Sequence, residues 1–197
     1  MSVKITILKS NGLQGNYEQV TSKLTAEVVK KLDPRTLFTR GSLILGTGNP
    51  FTLLNPRHIA AIEVETDLPL QDIQPPGVTS AKQLADKTAF MIELEKRWKE
   101  WRKLEQGGPG SPQEALVQFE LAGGWEYYVH VTGTLPDREK ERKVVETLLE
   151  LPVICIKRIG RGYSYINPEN IVRMRIYHSN REPFRPARIL PLDTNEI

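Results

Sequence analysis

The chain of 197 residues contains one cysteine, Cys155, so no disulfide can form within it. No apolar run approaches the ~18 residues that would cross a bilayer. The three histidines, His58, His130 and His178, lie far apart, and no Cys or His spacing resembles a zinc site. The glycine-rich stretch GTGNPF (46–51) precedes a strand pattern, not a helix, so it lacks the helix N-terminus on which a phosphate loop depends. The opening MSVKITILKSNG lacks the layout of a signal peptide. Cys155 sits in VICIK, which reads as a buried strand, where a thiol packs as a small hydrophobe. These absences predict a cytoplasmic protein away from membranes, with no cofactor, no metal and no enzyme activity.

What is present is a pattern written twice. Residues 53–65 read LLNPRHIAAIEVE and residues 165–177 read YINPENIVRMRIY, at an offset of 112. Asn55-Pro56 falls on Asn167-Pro168, Ile59 on Ile171, Ile62 on Met174 and Val64 on Ile176. The match extends upstream, where VKITILKSNG (3–12) falls on ALVQFELAGG (115–124). Asn can bond the backbone two residues on, and the following Pro presets its own φ, so both Asn-Pro pairs predict tight turns between strands. Period-two alternation after each turn places Ala60, Ile62 and Val64, and their counterparts Val172, Met174 and Ile176, toward a core.

Each copy reads strand-strand-helix-strand-strand-strand. Strands are predicted at 3–9, 14–20, 37–46, 51–54 and 59–66 with a helix at 22–32, then at 115–121, 125–132, 153–159, 163–166 and 171–178 with a helix at 138–150. The fold class is α+β: two related β-rich modules, each a curved sheet or partly open barrel, joined by a helical insert. The divisions are a first repeat over 1–68, a proline-rich loop and amphipathic insert over 69–112, a second repeat over 113–179 and an extended strap over 180–197. The insert predicts a helix from Ser80 to Glu105, with Leu84, Met91 and Trp98 seven apart and Leu94 and Trp101 on the same side. In the strands ITILKSNGLQG and IAAIEVE the chain resembles the first and last strands of Sm-like RNA-binding barrels. Its helix follows the second strand, where that family places one before the first, so no residue roles are carried over.

Charge is distributed unevenly. Residues 1–66 carry a net +3, residues 67–150 a net −4 and residues 151–190 a net +6. The outward positions of the final strands invert in sign: Ala61, Glu63 and Glu65, followed by Asp67, against Arg173, Arg175 and Tyr177. Two function classes follow. The first is a non-catalytic protein-interaction or assembly module, with Trp98, Trp101 and Arg97 on the insert helix as contacts to a protein partner or a second copy. The alternative is single-stranded nucleic-acid binding by the second repeat, through Arg161, Tyr163, Tyr165, Arg173, Arg175 and Tyr177. There cations would hold phosphates and rings would stack on bases. The acidic positions could instead pair with the basic ones, Glu63 and Glu65 against Arg173 and Arg175, or line a divalent-metal site.

Overall fold

A computed structural model describes residues 2–39, 41–46, 51–101, 112–134 and 147–178. Alternating apolar residues build β1 (Val3–Lys9), in which Val3, Ile5 and Ile7 are buried. The turn at Asn11-Gly12, with Gly12 at φ +81°, returns the chain as β2 (Gln14–Gln19). Helix α1 (Ser22–Lys31) follows and buries Thr25, whose hydroxyl donates to the carbonyls of Gln19 and Thr21. A short hairpin of β3 (Leu43–Leu45) and β4 (Thr52–Leu54) leads to β5 (Ile59–Thr66). Then come β6 (Val78–Gln83) and helix α2 (Lys87–Trp101). The second half holds β7 (Pro112–Leu121), β8 (Trp125–Thr134), β9 (Ile154–Lys157), β10 (Tyr163–Ile166) and β11 (Ile171–His178).

The result is a mixed α+β, strand-rich fold around one large open sheet. Among the described residues nine strands lie in the order β11-β7-β8-β6-β9-β10-β5-β1-β2, and β3 and β4 pair apart from it. Neither described helix is long and apolar enough to cross a membrane.

The registers of β1 with β2 and β5 correspond to those of β7 with β8 and β11 at the offset of 112, whereas the β3–β4 hairpin is one residue out from β9–β10, with Leu53 opposite Ile44 but Tyr165 opposite Cys155. Val3 lies opposite Gln19, and Ala115 opposite Val131; the ladders run to Leu8 opposite Gln14 and Glu120 opposite Glu126. On the other edge Val3 lies opposite Thr66 and Ala115 opposite His178. Both ladders slip by one residue at the same point, giving Lys9 opposite Ile59 and Leu121 opposite Ile171. The Asn-Pro turns are 3₁₀ turns, Pro56–His58 and Pro168–Asn170, in which the Asn55 and Asn167 Oδ1 atoms accept from the N–H of Arg57 and Glu169, each at 3.1 Å. The N–H of Ser10 donates to the carbonyl of His58, and that of Ala122 to the carbonyl of Asn170.

Each half completes the core of the other. Val3, Ile5, Ile7, Ile62 and Val64 are packed with Cys155 and Tyr165, whereas Val117, Phe119, Val129, Ile154 and Ile166 are packed with Leu8, Ala60 and Ala61. A third cluster joins Phe90 and Trp101 of α2 to Leu116 and Tyr128.

Several expectations need correcting. The stretch 78–83 is a strand, not the start of the insert helix. Its backbone pairs with β8 from Val78 opposite Gly133 to Gln83 opposite Val129, and it touches β9 in parallel at Lys82 opposite Lys157. Sheet pairing outweighs helix propensity there, and Asp86 starts α2 later by accepting from the N–H of Ala89 at 2.8 Å. The insert therefore supplies a strand to the sheet as well as a helix. The buried stripe of α2 is Phe90, Leu94 and Trp101, while Met91 is exposed. Of the strand expected at 37–46 only Leu43–Leu45 forms; residues 37–39 continue as a turn from the 3₁₀ turn Pro34–Thr36, which Pro34 and the Asp33 Oδ1 that accepts from Arg35 N–H hold in place. Ala61 is buried, since β5 has a neighbour on both edges and core on both faces. Val172 is 66% exposed, since β11 ends the sheet. The helix expected at 138–150 lies largely outside the described residues, as do most of GTGNPF and the strap from 180 to 197.

Candidate functional site

The halves meet along a seam between β5 and β10. Tyr163, Ser164, Tyr165 and Ile166 pair antiparallel with Val64, Glu63, Ile62 and Ala61. Gly162, at φ +91°, permits the close approach that starts this pairing. A Cβ on that residue would stand 1.8 Å from the Val64 carbonyl oxygen. At the far end the N–H of Asn167 donates to the Ala60 carbonyl at 3.0 Å. The Asn167 side-chain amide donates to the carbonyls of Pro56 (3.2 Å) and Ile59 (3.0 Å), and that of Asn170 to Arg57 and Ile59 (both 3.1 Å). Backbone acceptors that burial would orphan are thus satisfied by side chains from the other half.

Charge along the seam is spent internally. Arg158 lies 3.3 Å from Glu63, and Glu63 also accepts from the Tyr127 hydroxyl at 2.7 Å. Arg161 pairs with Glu65 (3.3 Å) and Asp67 (2.6 Å), which raises the guanidinium pKa above its ordinary value. The expected acidic row therefore faces Arg158 and Arg161, while Arg173 pairs with Glu120 on β7 at 2.6 Å. Among the described residues no three His, Cys, Asp or Glu side chains converge as a metal site would require.

The residues named for nucleic acid are dispersed. Tyr165 is fully buried and donates to the Gln71 carbonyl at 3.2 Å, so it offers no stacking surface; its ring was drawn into the first core by the β10 pairing. Tyr163 lies stacked on Tyr165 and donates to Asp72 at 3.1 Å; burial, then the Asp72 charge, pushes its hydroxyl up to about 12. Tyr177 meets Phe90 edge-on, with ring centroids 5.8 Å apart. Arg175 lies opposite Gln118 on β11, next to Met174.

The partner-binding set is divided as well. Trp101, expected as a contact, is buried instead, because α2 turns its Phe90–Trp101 side onto β7 and β8. Arg97 donates to Glu93 at 2.7 Å and to Glu114 on β7, which ties the helix to the sheet. Trp98 is 46% exposed.

Two features escaped sequence reasoning. The first is the outer face of the β3–β4 hairpin, where Ile44, Phe51 and Leu53 are 61%, 58% and 57% exposed. Their partners on the inner face, Leu43, Leu45 and Leu54, pack on the first core. The signal was legible, since an apolar LIL and FTLL pair with no polar alternation leaves two apolar faces to cover. The second is a cavity of about 130 Å³ between the insert and the second half, lined by Val78 and Ala81 of β6 and by Val117, Phe119, Ile154 and Ile176 among others.

Comparison with known proteins finds no matching family, no similar curated protein and no similar solved structure.

Proposed function

We propose that the chain is a non-catalytic assembly module built from a duplicated β-rich unit, whose work is to join such units edge to edge. The observation that carries the reading is the seam itself. A strand of one unit is added to the edge of the other, and the added strand's outer face enters the neighbour's core. Strand addition of this kind couples main-chain hydrogen bonds to side-chain pockets, a general mode of protein recognition. Duplication is supported by the matched registers, the matched one-residue slip and the matched Asn-Pro turns at one offset. Exposed apolar side chains on the hairpin and on α2, where Met91 and Trp98 are one heptad apart, supply the contact surface. The nucleic-acid alternative draws less support, because Arg161, Tyr163, Tyr165 and Arg173 are engaged within the chain.

Sedimentation of the full chain over a concentration series tests the reading. Species heavier than the 22.4 kDa of one chain are expected. A single-chain mass at every concentration would overturn it.

A further inference from the structure

We infer that the partner is a second copy of this chain, added head to tail by pairing β4 of one copy with β11 of the next. This rests on the assembly reading above and names its partner and its contact. The register is the one that β10 and β5 use within the chain, shifted by 112: Phe51 opposite Ile176, Thr52 opposite Arg175, Leu53 opposite Met174 and Leu54 opposite Arg173.

Three observations converge on that contact. First, the valences match. The internal seam consumes β10 of the second half and β5 of the first. Their equivalents β4 and β11 remain, and each has a single strand neighbour among the described elements: β3 for β4, β7 for β11. A strand with one strand neighbour can template pairing with another chain.

Second, equivalent side chains differ in burial as a missing neighbour would require. In the second half one hairpin face (Ile154, Ile156 and Ile166) packs on its own core, and the other (Cys155, Tyr163 and Tyr165) packs on the first core. In the first half β3 is one residue out of the 112 offset, so by pairing Leu43, Ile44 and Leu45 stand where Ile154, Cys155 and Ile156 stand; Leu43, Leu45 and Leu54 pack on their own core, but Ile44, Phe51 and Leu53 are more than half exposed. On the receiving strands, Ala60 and Ala61 are fully buried, while Val172, the counterpart of Ala60, is 66% exposed.

Third, the receiving core has room. Tyr165 lies among Ile5, Ile7, Ile62 and Val64. The equivalents of Ile5, Ile7 and Val64 are Val117, Phe119 and Ile176, and these three line the apolar cavity of about 130 Å³. In the shifted register Phe51 lies opposite Ile176, one of the residues that line this cavity. The ionic part of the seam is not repeated, because Arg175 and Tyr177 stand where Glu63 and Glu65 stand in the first half. The contact between copies is accordingly the more apolar of the two.

Pairing β4 of one copy with β11 of the next joins two different edges, which makes the interface heterologous, so copies close into a ring or extend as a fibre rather than stop at a symmetric pair. The test uses the full chain and the variants Leu53→Lys and Val172→Lys, whose exposed positions leave the fold intact, as matching circular dichroism and melting temperature will verify. Native mass spectrometry should find wild-type species larger than a pair, and each variant should lose them. An equimolar mixture of the two variants should give a one-to-one pair and nothing heavier, because only one intact edge of each kind is present. Two outcomes overturn the inference: variants that retain the wild-type assembly, or folded variants whose mixture forms no pair. Assembly that persists in both edge variants but is lost in Trp98→Ala would overturn the strand pairing while leaving the assembly reading in place. A wild-type chain of single mass throughout would remove both.

Discussion

The side-chain amide of Asn167 reaches 108 residues back to donate to the carbonyl of Ile59 at 3.0 Å, and its oxygen accepts from Glu169 N–H in its own turn. Asn55, its counterpart, caps its turn in the same way at Arg57. The two asparagines are therefore unequal. Asn167→Ala removes a cap and two donors to buried carbonyls, and should cost about 2–4 kcal/mol. Asn55→Ala removes a cap at an exposed turn and should cost about 1 kcal/mol. Urea unfolding of the two variants checks the order; equal costs would show that the bonds between halves add nothing.

Glycines near β10 give a second contrast. Gly160 and Gly162 both have positive φ, but only at Gly162 would an added methyl group meet backbone, its carbon 1.8 Å from the Val64 carbonyl oxygen. Gly160→Ala should cost about 1–2 kcal/mol, for the left-handed backbone alone. Gly162→Ala adds a collision with the neighbouring strand and should lower the melting temperature much further, with loss of protection of the β5 and β10 amides in hydrogen exchange.

Acid should weaken the fold through His130. Burial is the main cause that lowers its pKa, against the opposing pull of Glu114, 4.0 Å away. A base held neutral in the fold binds fewer protons than it does when unfolded. Its contribution is therefore present above the ordinary histidine pKa near 6.5 and is lost as pH falls below it. His130→Gln should flatten the stability profile between pH 7 and pH 5. An unchanged slope would place the acid sensitivity elsewhere.

Basic, tyrosine-containing strands invite a nucleic-acid assay. With Arg161 and Arg173 paired and Tyr165 buried, binding to single-stranded RNA or DNA should be no tighter than the ~10⁻⁴–10⁻⁶ M of non-specific association, and Arg173→Glu should change it little. Tight binding that falls steeply with salt and is lost in Arg173→Glu with Arg175→Glu would reverse the order of the two functional readings.

Much of the strand layout is written locally. Alternation in VKITILK and IAAIEVET predicts β1 and β5 within a residue or two, and the Asn-Pro pairs predict both turns, because each rests on neighbours in sequence. Errors arise where a segment's state depends on a distant edge. Val78–Gln83 becomes a strand because β8 offers it a ladder, and the buried side of α2 is set by what Leu116 and Tyr128 present, not by the Leu84–Met91–Trp98 spacing. The candidate surfaces fared likewise. Trp101 and Arg97 were singled out by residue type, but only packing determined that one is buried and the other is held by Glu93 and Glu114.

The sequence by itself determined where strands such as β1 and β5 run and where the two Asn-Pro turns fall, since side-chain alternation and turn chemistry act over a few bonds. Only the tertiary structure decided that β10 lies on β5, that Glu63 faces Arg158 rather than Arg173, and that Ile44, Phe51 and Leu53 remain in water. The physical reason is that backbone hydrogen bonds between strands are the same for any partner. Which edges meet is set by chain connectivity and by which apolar faces are still uncovered, and neither is encoded in any one segment.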